Sequence, residues 1–583
     1  GTGVLTVTGA VTLADNISIT ATGGISFSST IDADNASSND RNLTMDAGTG
    51  STIAVAGNVG ASQALAGLTI TQSNGTTFSG SVNVSDSNSG TLTITDTSDN
   101  ADITFAGSVT TDTLDLAQTG YDLIFNGGGT FANAVTFDNT GTLNLGNASG
   151  DSFTFNGGLT ESTTGTVTLA STIISSNDAI SFGAVTLGSN TTIDTNASST
   201  TGDLTLGVVT GGSNTLTLST GNNVANSDIT ASGNISGVTT LTLSDVGGTA
   251  TFAGDVDVTT LSVDNTVANV AINGDGSSVT NAVSFANDGT LQLGDASGDT
   301  LTFNGGLTTT SVGSTVTLNG TIDTSNDAIT LGAVTLGSAT TIDTNASDTT
   351  GDITIGAVTG SNNNLTLDTT ATSGSASHTF NGDINLGTGT LTVTGDVVLG
   401  ANITVVGGGG VTFNNDINAD NAANNDRTLS LSSGQDSTIT VTGNVGASQA
   451  LAGLTIIQSN QTTFSASVDV SDSNSGTITL TDTSNDKHIR FEGNLTADNL
   501  TTAAEGYRLF LIGDTTTFTN AVSFQNADNV ALGNEAGDSL TFNGGLTTTS
   551  VSGGGTVFIN GTIQTSNDAI VLGAVTLGSA TTI

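Results

Sequence analysis

The fourteen residues Gly57–Ile70, GNVGASQALAGLTI, return letter for letter as Gly443–Ile456. The spacing of 386 residues holds well beyond that stretch: Gly3 corresponds to Gly389, Val11 to Val397, Ile31 to Ile417, Arg41 to Arg427 and Gly120 to Gly506. Residues 1–386 thus form one long unit, and 387–583 a partial second copy of it. A shorter repetition is nested inside. TFNGGLT at 154–160 recurs at 302–308 and at 541–547, so that 131–211, 279–360 and 518–583 are three versions of one phrase. Offsets between versions vary by a few residues, and one insertion falls in the Gly-rich run Val551–Thr556. Repetition of this kind rules out a set of unrelated globular cores. It implies supersecondary units that bury their apolar faces on their neighbours.

The local pattern says what the units are. Val4-Leu5-Thr6-Val7-Thr8, Ile17-Ser18-Ile19-Thr20 and Ile25-Ser26-Phe27-Ser28 alternate apolar and polar residues. Such alternation puts one face of a strand into a core and the other into water. No window sustains a 3.6-residue period; Ala61–Leu68 could make one helical turn or a strand corner. Short strands separated by Gly, Asn, Asp and Ser, with 78 Gly and no Pro, Cys or Trp, suit a chain that bends often. The expected fold is all-β: a long parallel β-solenoid of tandem repeats, with roughly 20 to 28 residues per coil. A β-sandwich array would need linkers between units of about 100 residues; no composition shift marks one, and a single continuous solenoid is expected. The chain is expected to be a segment of a longer protein, with any signal, anchor or export domain outside it.

Charge narrows the partners. The formal net charge is −46 and only Arg41, Arg427, Lys487, Arg490 and Arg508 are basic. Nucleic acid is excluded as a partner because no basic track meets phosphates. Anionic membrane surfaces are disfavoured for the same reason. No stretch approaches the ~18 apolar residues of a membrane helix, so direct membrane insertion is not expected.

The phrase G-N-V-G-x-x-x-A-L-x-x-L-T-I, followed by Thr77-Phe78-Ser79-Gly80-Ser81-Val82, resembles the repeats of filamentous-haemagglutinin-like and autotransporter-type bacterial surface proteins. The resemblance implies a right-handed β-helix that is exported and adhesive or structural.

Constellations for chemistry are few. His378 and His488 are the only histidines and neither has a cysteine or second histidine nearby. His488 replaces Asp102 of the first copy and reads as part of a solvated face. A carbohydrate-cleaving site needs two carboxylates across a cleft; Asp is abundant, but no basic cluster beside it or aromatic platform points to a sugar. Thr-x-Thr rows that could order ice, as at Thr93-Ile94-Thr95, do not recur at a fixed spacing. The candidate metal site is a calcium loop: Asp32, Asp34 and Asp40 in the first copy, with Asp420 and Asp426 in the second, where Asn418 replaces the first Asp. Oxygen-rich loops suit a hard cation; the same residues also make Asx turns. No catalytic residue and no other cofactor is expected. These observations lead to a structural, extracellular bacterial cell-surface fibre, sheath or adhesin stalk. Its partners would be itself or further repeats, or surface and matrix glycans. A carbohydrate-binding or carbohydrate-cleaving β-helix is the alternative.

Overall fold

Inward and outward positions separate along every short strand. In Asp122–Phe125, Leu123 and Phe125 are fully buried while Asp122 and Ile124 are half-buried. A strand of three or four residues cannot close a core by itself, so each one lies on the equivalent strand of the next coil. Ile103 stacks on Leu123, Leu123 on Leu143, Leu143 on Val167, and Val167 on Val185. Every pairing described is parallel, which requires the chain to travel round a full coil between partners. The computed structural model describes residues 1–583 apart from 35–40, 87–88, 97, 99, 347–350, 371–375, 421–425, 473–474, 483–485 and 552–553. Among the described residues there is no helix. The Ala61–Leu68 stretch is a corner without a helical turn, leading into the strand Gly67–Gln72.

Two compact units are present. One comprises Gly1–Asn281, Phe285–Leu291 and Val312–Ser314; the other comprises Ala282–Ser284, Gln292–Ser311 and Thr315–Ile583. Both are built of stacked parallel coils, and the chain is a β-solenoid repeat protein of about 23 turns. Coil length varies: the coil that carries the chain from Val167 to Val185 is much shorter than the one from Ile31 to Val59.

The interior is a set of apolar rows. Phe78, Phe105 and Phe125 stack with centroids 5.1 and 5.0 Å apart. In the second copy Phe464 and Phe491 repeat the contact at 5.0 Å. Fully burying such a side chain contributes about 1.5–3 kcal/mol, so the rows supply the main cohesion.

Sequence repetition reappears as identical register. Leu43 pairs with Leu68 and Leu429 with Leu454. Leu159 pairs with Ile180, Leu307 with Ile329 and Leu546 with Ile570. The corners repeat too. Asn177, Asn326 and Asn567 each take a left-handed φ of 71–75°, a conformation that Asn tolerates better than most residues. Just before each, a hydroxyl donates to the carbonyl beyond it: Ser175 to Asp178, Thr324 to Asp327 and Thr565 to Asp568, at 2.5, 2.6 and 2.8 Å.

Candidate functional site

Asp32 and Asp34, chosen from sequence as calcium ligands, bond to the protein's own groups. Asp32 lies in the strand Ile31–Ala33, and its Oδ1 accepts the backbone N–H of Ser62 at 2.7 Å. Asn418, its counterpart, accepts the N–H of Ser448 at 2.8 Å. The position requires an acceptor oxygen, which Asp and Asn supply equally. Asp34 receives Arg41 as a fork, Nε at 2.8 Å and Nη2 at 2.7 Å. Asp420 and Arg427 repeat the fork at 2.9 and 2.7 Å. Two parallel charge-assisted bonds of this kind fix both partners. The Arg41 hydrogen bond holds Asp34 below the usual carboxylate range, and the Asp420 hydrogen bond raises Arg427. Asp426 is exposed. Asp40 lies outside the described residues, among which no group of three or more His, Cys, Asp or Glu side chains is placed to hold a metal ion. The structure therefore brings Asp34 to Arg41 and Asp32 to a backbone amide, rather than the two carboxylates to each other's oxygens.

The histidines occupy opposite environments. His378 is fully buried, with Ile353 below it and Val397 above it in an interior row. Its Nε2 lies 3.0 Å from the Thr394 carbonyl oxygen and 3.3 Å from Thr369 Oγ1. Burial lowers its pKa to about 4, so the ring is neutral at physiological pH. Glu161 is one of the buried acids: Oε2 accepts the Gly183 N–H at 2.9 Å, and burial raises its pKa. In another version of the nested phrase Thr548 fills this place and its hydroxyl accepts the Gly573 N–H at 2.9 Å.

His488 belongs to a cluster that sequence reading missed. The strands His488–Phe491 and Arg508–Leu511 stack in register, with His488 on Arg508 and Arg490 on Phe510. All four side chains face outward, half-buried against one another. The Arg490 guanidinium carbon sits 5.0 Å from the Phe510 ring centre, and the His488 ring stands nearly perpendicular to Phe510 with centroids 5.8 Å apart. Arg490 pairs with Glu492 at 3.0 Å; Arg508 pairs with Asp528 at 3.1 Å and Asp486 at 3.6 Å. Partial burial lowers the pKa of His488, reinforced by Arg490, Arg508 and Lys487. Three of the five cations of the chain thus gather on two neighbouring strands and the residue before them. The signal was in the sequence: at a spacing of 386, Asp102 becomes His488 and Asp122 becomes Arg508. Only the register shows that the two exchanges touch.

Elsewhere, depressions of about 420 and 400 Å³ are lined by Leu5, Val7, Val11, Phe27 and Leu43 and by Ser284, Gly306, Thr308, Asp327 and Thr330 respectively. Another depression of about 300 Å³ is lined by Ser213, Gly237, Thr239, Asp257, Ser278 and Thr280, beside the register shift at Ser236–Val238. No aromatic ring lines it. No family model, curated protein or solved structure matches the chain.

Proposed function

We propose that the chain is a structural part of a bacterial cell surface: an extracellular β-solenoid that forms a fibre, sheath or adhesin stalk. The filamentous-haemagglutinin-like and autotransporter-type repeats that its phrases resemble are the kind of protein meant. One observation supports this reading above the others. Between copies the inward residues and corner bonds are kept, whereas outward residues change freely. Ile103, Phe105 and Leu123 recur as Ile489, Phe491 and Leu509, while Thr104 becomes Arg490 and Ile124 becomes Phe510. A scaffold needs its interior and its bends, and tolerates exchange outside. A reaction centre needs particular outward groups held in place.

The test is immunogold electron microscopy with antibodies against this segment, on intact and on permeabilised cells, together with negative-stain images of the isolated protein. Label on intact cells and elongated particles are expected. Label that appears only after permeabilisation, or globular particles, would overturn the reading.

A further inference from the structure

The two copies of the long repeat differ in charge at one place in the fold. In the first copy Asp102 stands in register with Asp122 on the next coil. Asp102 is exposed and Asp122 half-buried. In the second copy the same two positions are His488 and Arg508, again in register. Around them Ala101 becomes Lys487, Thr104 becomes Arg490 and Ile124 becomes Phe510. Ala101 is buried where Lys487 is half-buried, but the inward residues of the strands themselves, Ile103, Phe105 and Leu123, recur as Ile489, Phe491 and Leu509, so the strand core does not demand the exchange. Its result is an outward aromatic ring and three cations in a chain whose net charge is −46.

We propose that this second-copy face docks on the Asp102–Asp122 face of another molecule of the same chain. Charge complementarity chooses the partner. The first-copy face presents two carboxylates on neighbouring coils. The second presents Lys487, which forms no ion pair among the described residues, and two guanidiniums. Each guanidinium has five N–H donors, so Arg490 and Arg508 retain donors beyond those given to Glu492, Asp486 and Asp528. Pitch matches as well. Both faces span two consecutive parallel coils, whose strands are about 4.8 Å apart, so charges on one fall opposite charges on the other without distortion. General repulsion does not forbid the contact. Screening at physiological salt limits each charge to about 8 Å. Within that range the second-copy face is balanced, with Lys487, Arg490 and Arg508 set against Asp486, Glu492 and Asp528. Phe510, with Arg490 over one side, adds apolar area that docking removes from water. The proposal deepens the structural reading above and rests on it for taking another molecule of the chain as the neighbour.

Sedimentation velocity across a concentration series tests it, at low and high salt. Wild-type chain should associate, and less so as salt rises. The first variant is D102K with T104K; the second is K487E with R490E. Both leave Asp122 and Arg508, which bond within the fold, in place, and circular dichroism checks that each variant folds. Alone, each should associate at least about tenfold more weakly. Mixed in equal amounts they should associate again, because the unaltered first-copy face of K487E/R490E meets the unaltered second-copy face of D102K/T104K, and the two altered faces are complementary as well. A wild-type chain that stays monomeric overturns the proposal, as do variants that associate like wild type or a mixture that fails to recover. Heparin is the control for a free polyanion. If K487E/R490E loses heparin binding while D102K/T104K self-associates normally, the face serves a polyanion and the proposal fails. Surface label on intact cells with no self-association would remove this contact and leave the fibre reading standing; the reverse result would do the opposite.

Discussion

Burying His378 makes one stretch of the coil sensitive to acid. The ring has an ordinary pKa of 6.5 and one of about 4 in the folded chain. Where the folded pKa is depressed, the unfolded chain binds the proton more readily, and folding loses stability as pH falls from 6.5 towards 4. The full loss is ~3 kcal/mol at ~1.4 kcal/mol per tenfold change, and about 2 kcal/mol of it falls between pH 7 and pH 5. Among the described residues no carboxylate bonds the ring to offset this. Asp368 and Asp352 act on it only through space, and the described partners of Nε2 are Thr394 and Thr369. Acid also neutralises some of the chain's 51 carboxyls and relieves their repulsion, so a melting curve of the wild type mixes two opposing effects. The comparison that isolates the histidine is His378→Ile. The chain itself provides that template: Ile229 stacks on Leu204 as His378 stacks on Ile353, with both partners displaced by the offset of the nested repeat. A repeat array opens locally, so the assay is amide hydrogen exchange in the strands Ile353–Ile355, Ser377–Phe380 and Asp396–Leu399. The stability difference, variant minus wild type, should grow by about 2 kcal/mol from pH 7 to pH 5. A difference that stays flat over that window would refute the assignment of a neutral, buried ring.

Three other substitutions test the account. Gly60→Ala should destabilise its coil by ~2–4 kcal/mol, since Gly60 has φ +70° and an added Cβ would lie 2.2 Å from the Asn83 carbonyl oxygen; Gly446→Ala should do the same, and unchanged exchange protection at either would count against the steric argument. Glu161→Gln should melt higher than wild type at pH 7, because burial raises the acid's folded pKa above its ordinary 4.5 and so penalises the charged form as pH rises; the gap should close below pH 4.5, and a gap that widens in acid would be the wrong sign. Calcium reaching Asp34 must displace Arg41, so Arg41→Gln should show tighter millimolar calcium binding by calorimetry than wild type, and equal heats would place any bound ion away from Asp34.

Much of the fold was legible because strand alternation and coil stacking both follow from spacing. Alternation put Leu123 and Phe125 inside, and equal phrases at a distance of 386 had to occupy equal positions, as Leu43–Leu68 and Leu429–Leu454 do. The inward side of His378 was legible too, since Ala376, His378 and Phe380 alternate with Ser377 and Thr379. Coil length was not. The alternating runs fix strands, whereas the loops between them set whether a coil is as short as the one from Val167 to Val185 or as long as the one from Ile31 to Val59. The Lys487–Phe510 cluster was hidden for that reason. His488 and Arg508 are well separated along the chain, and only the pairing of their strands makes them neighbours. In the calcium loop, sequence supplies a list of oxygens but not their donors. The amide at Ser62 and the guanidinium of Arg41 arrive from outside the motif's own spacing.

The stretch that never varies and the stretch that changes its charge are explained by one division of labour. Gly57 approaches the backbone at Ser29 so closely that a Cβ would lie 2.3 Å from its carbonyl carbon. Val59 bridges Ile31 and Val82 on the coils to either side. Gly60 turns left-handed against Asn83. The amides of Ser62 and Gln63 reach Asp32 at 2.7 and 3.5 Å, and Leu65, Leu68 and Ile70 are fully buried. Almost every residue of the stretch meets a separate steric or hydrogen-bonding demand, and Gly443–Ile456 meets the same set against Asn415, Ile417, Asn418 and Asp469. Letter-for-letter identity here is therefore a packing requirement and needs no ligand to explain it. No such demand acts on the outward positions 102 and 104, and their counterparts 488 and 490 have changed without moving the core. In a solenoid of this kind, recognition is to be sought where equivalent coils disagree.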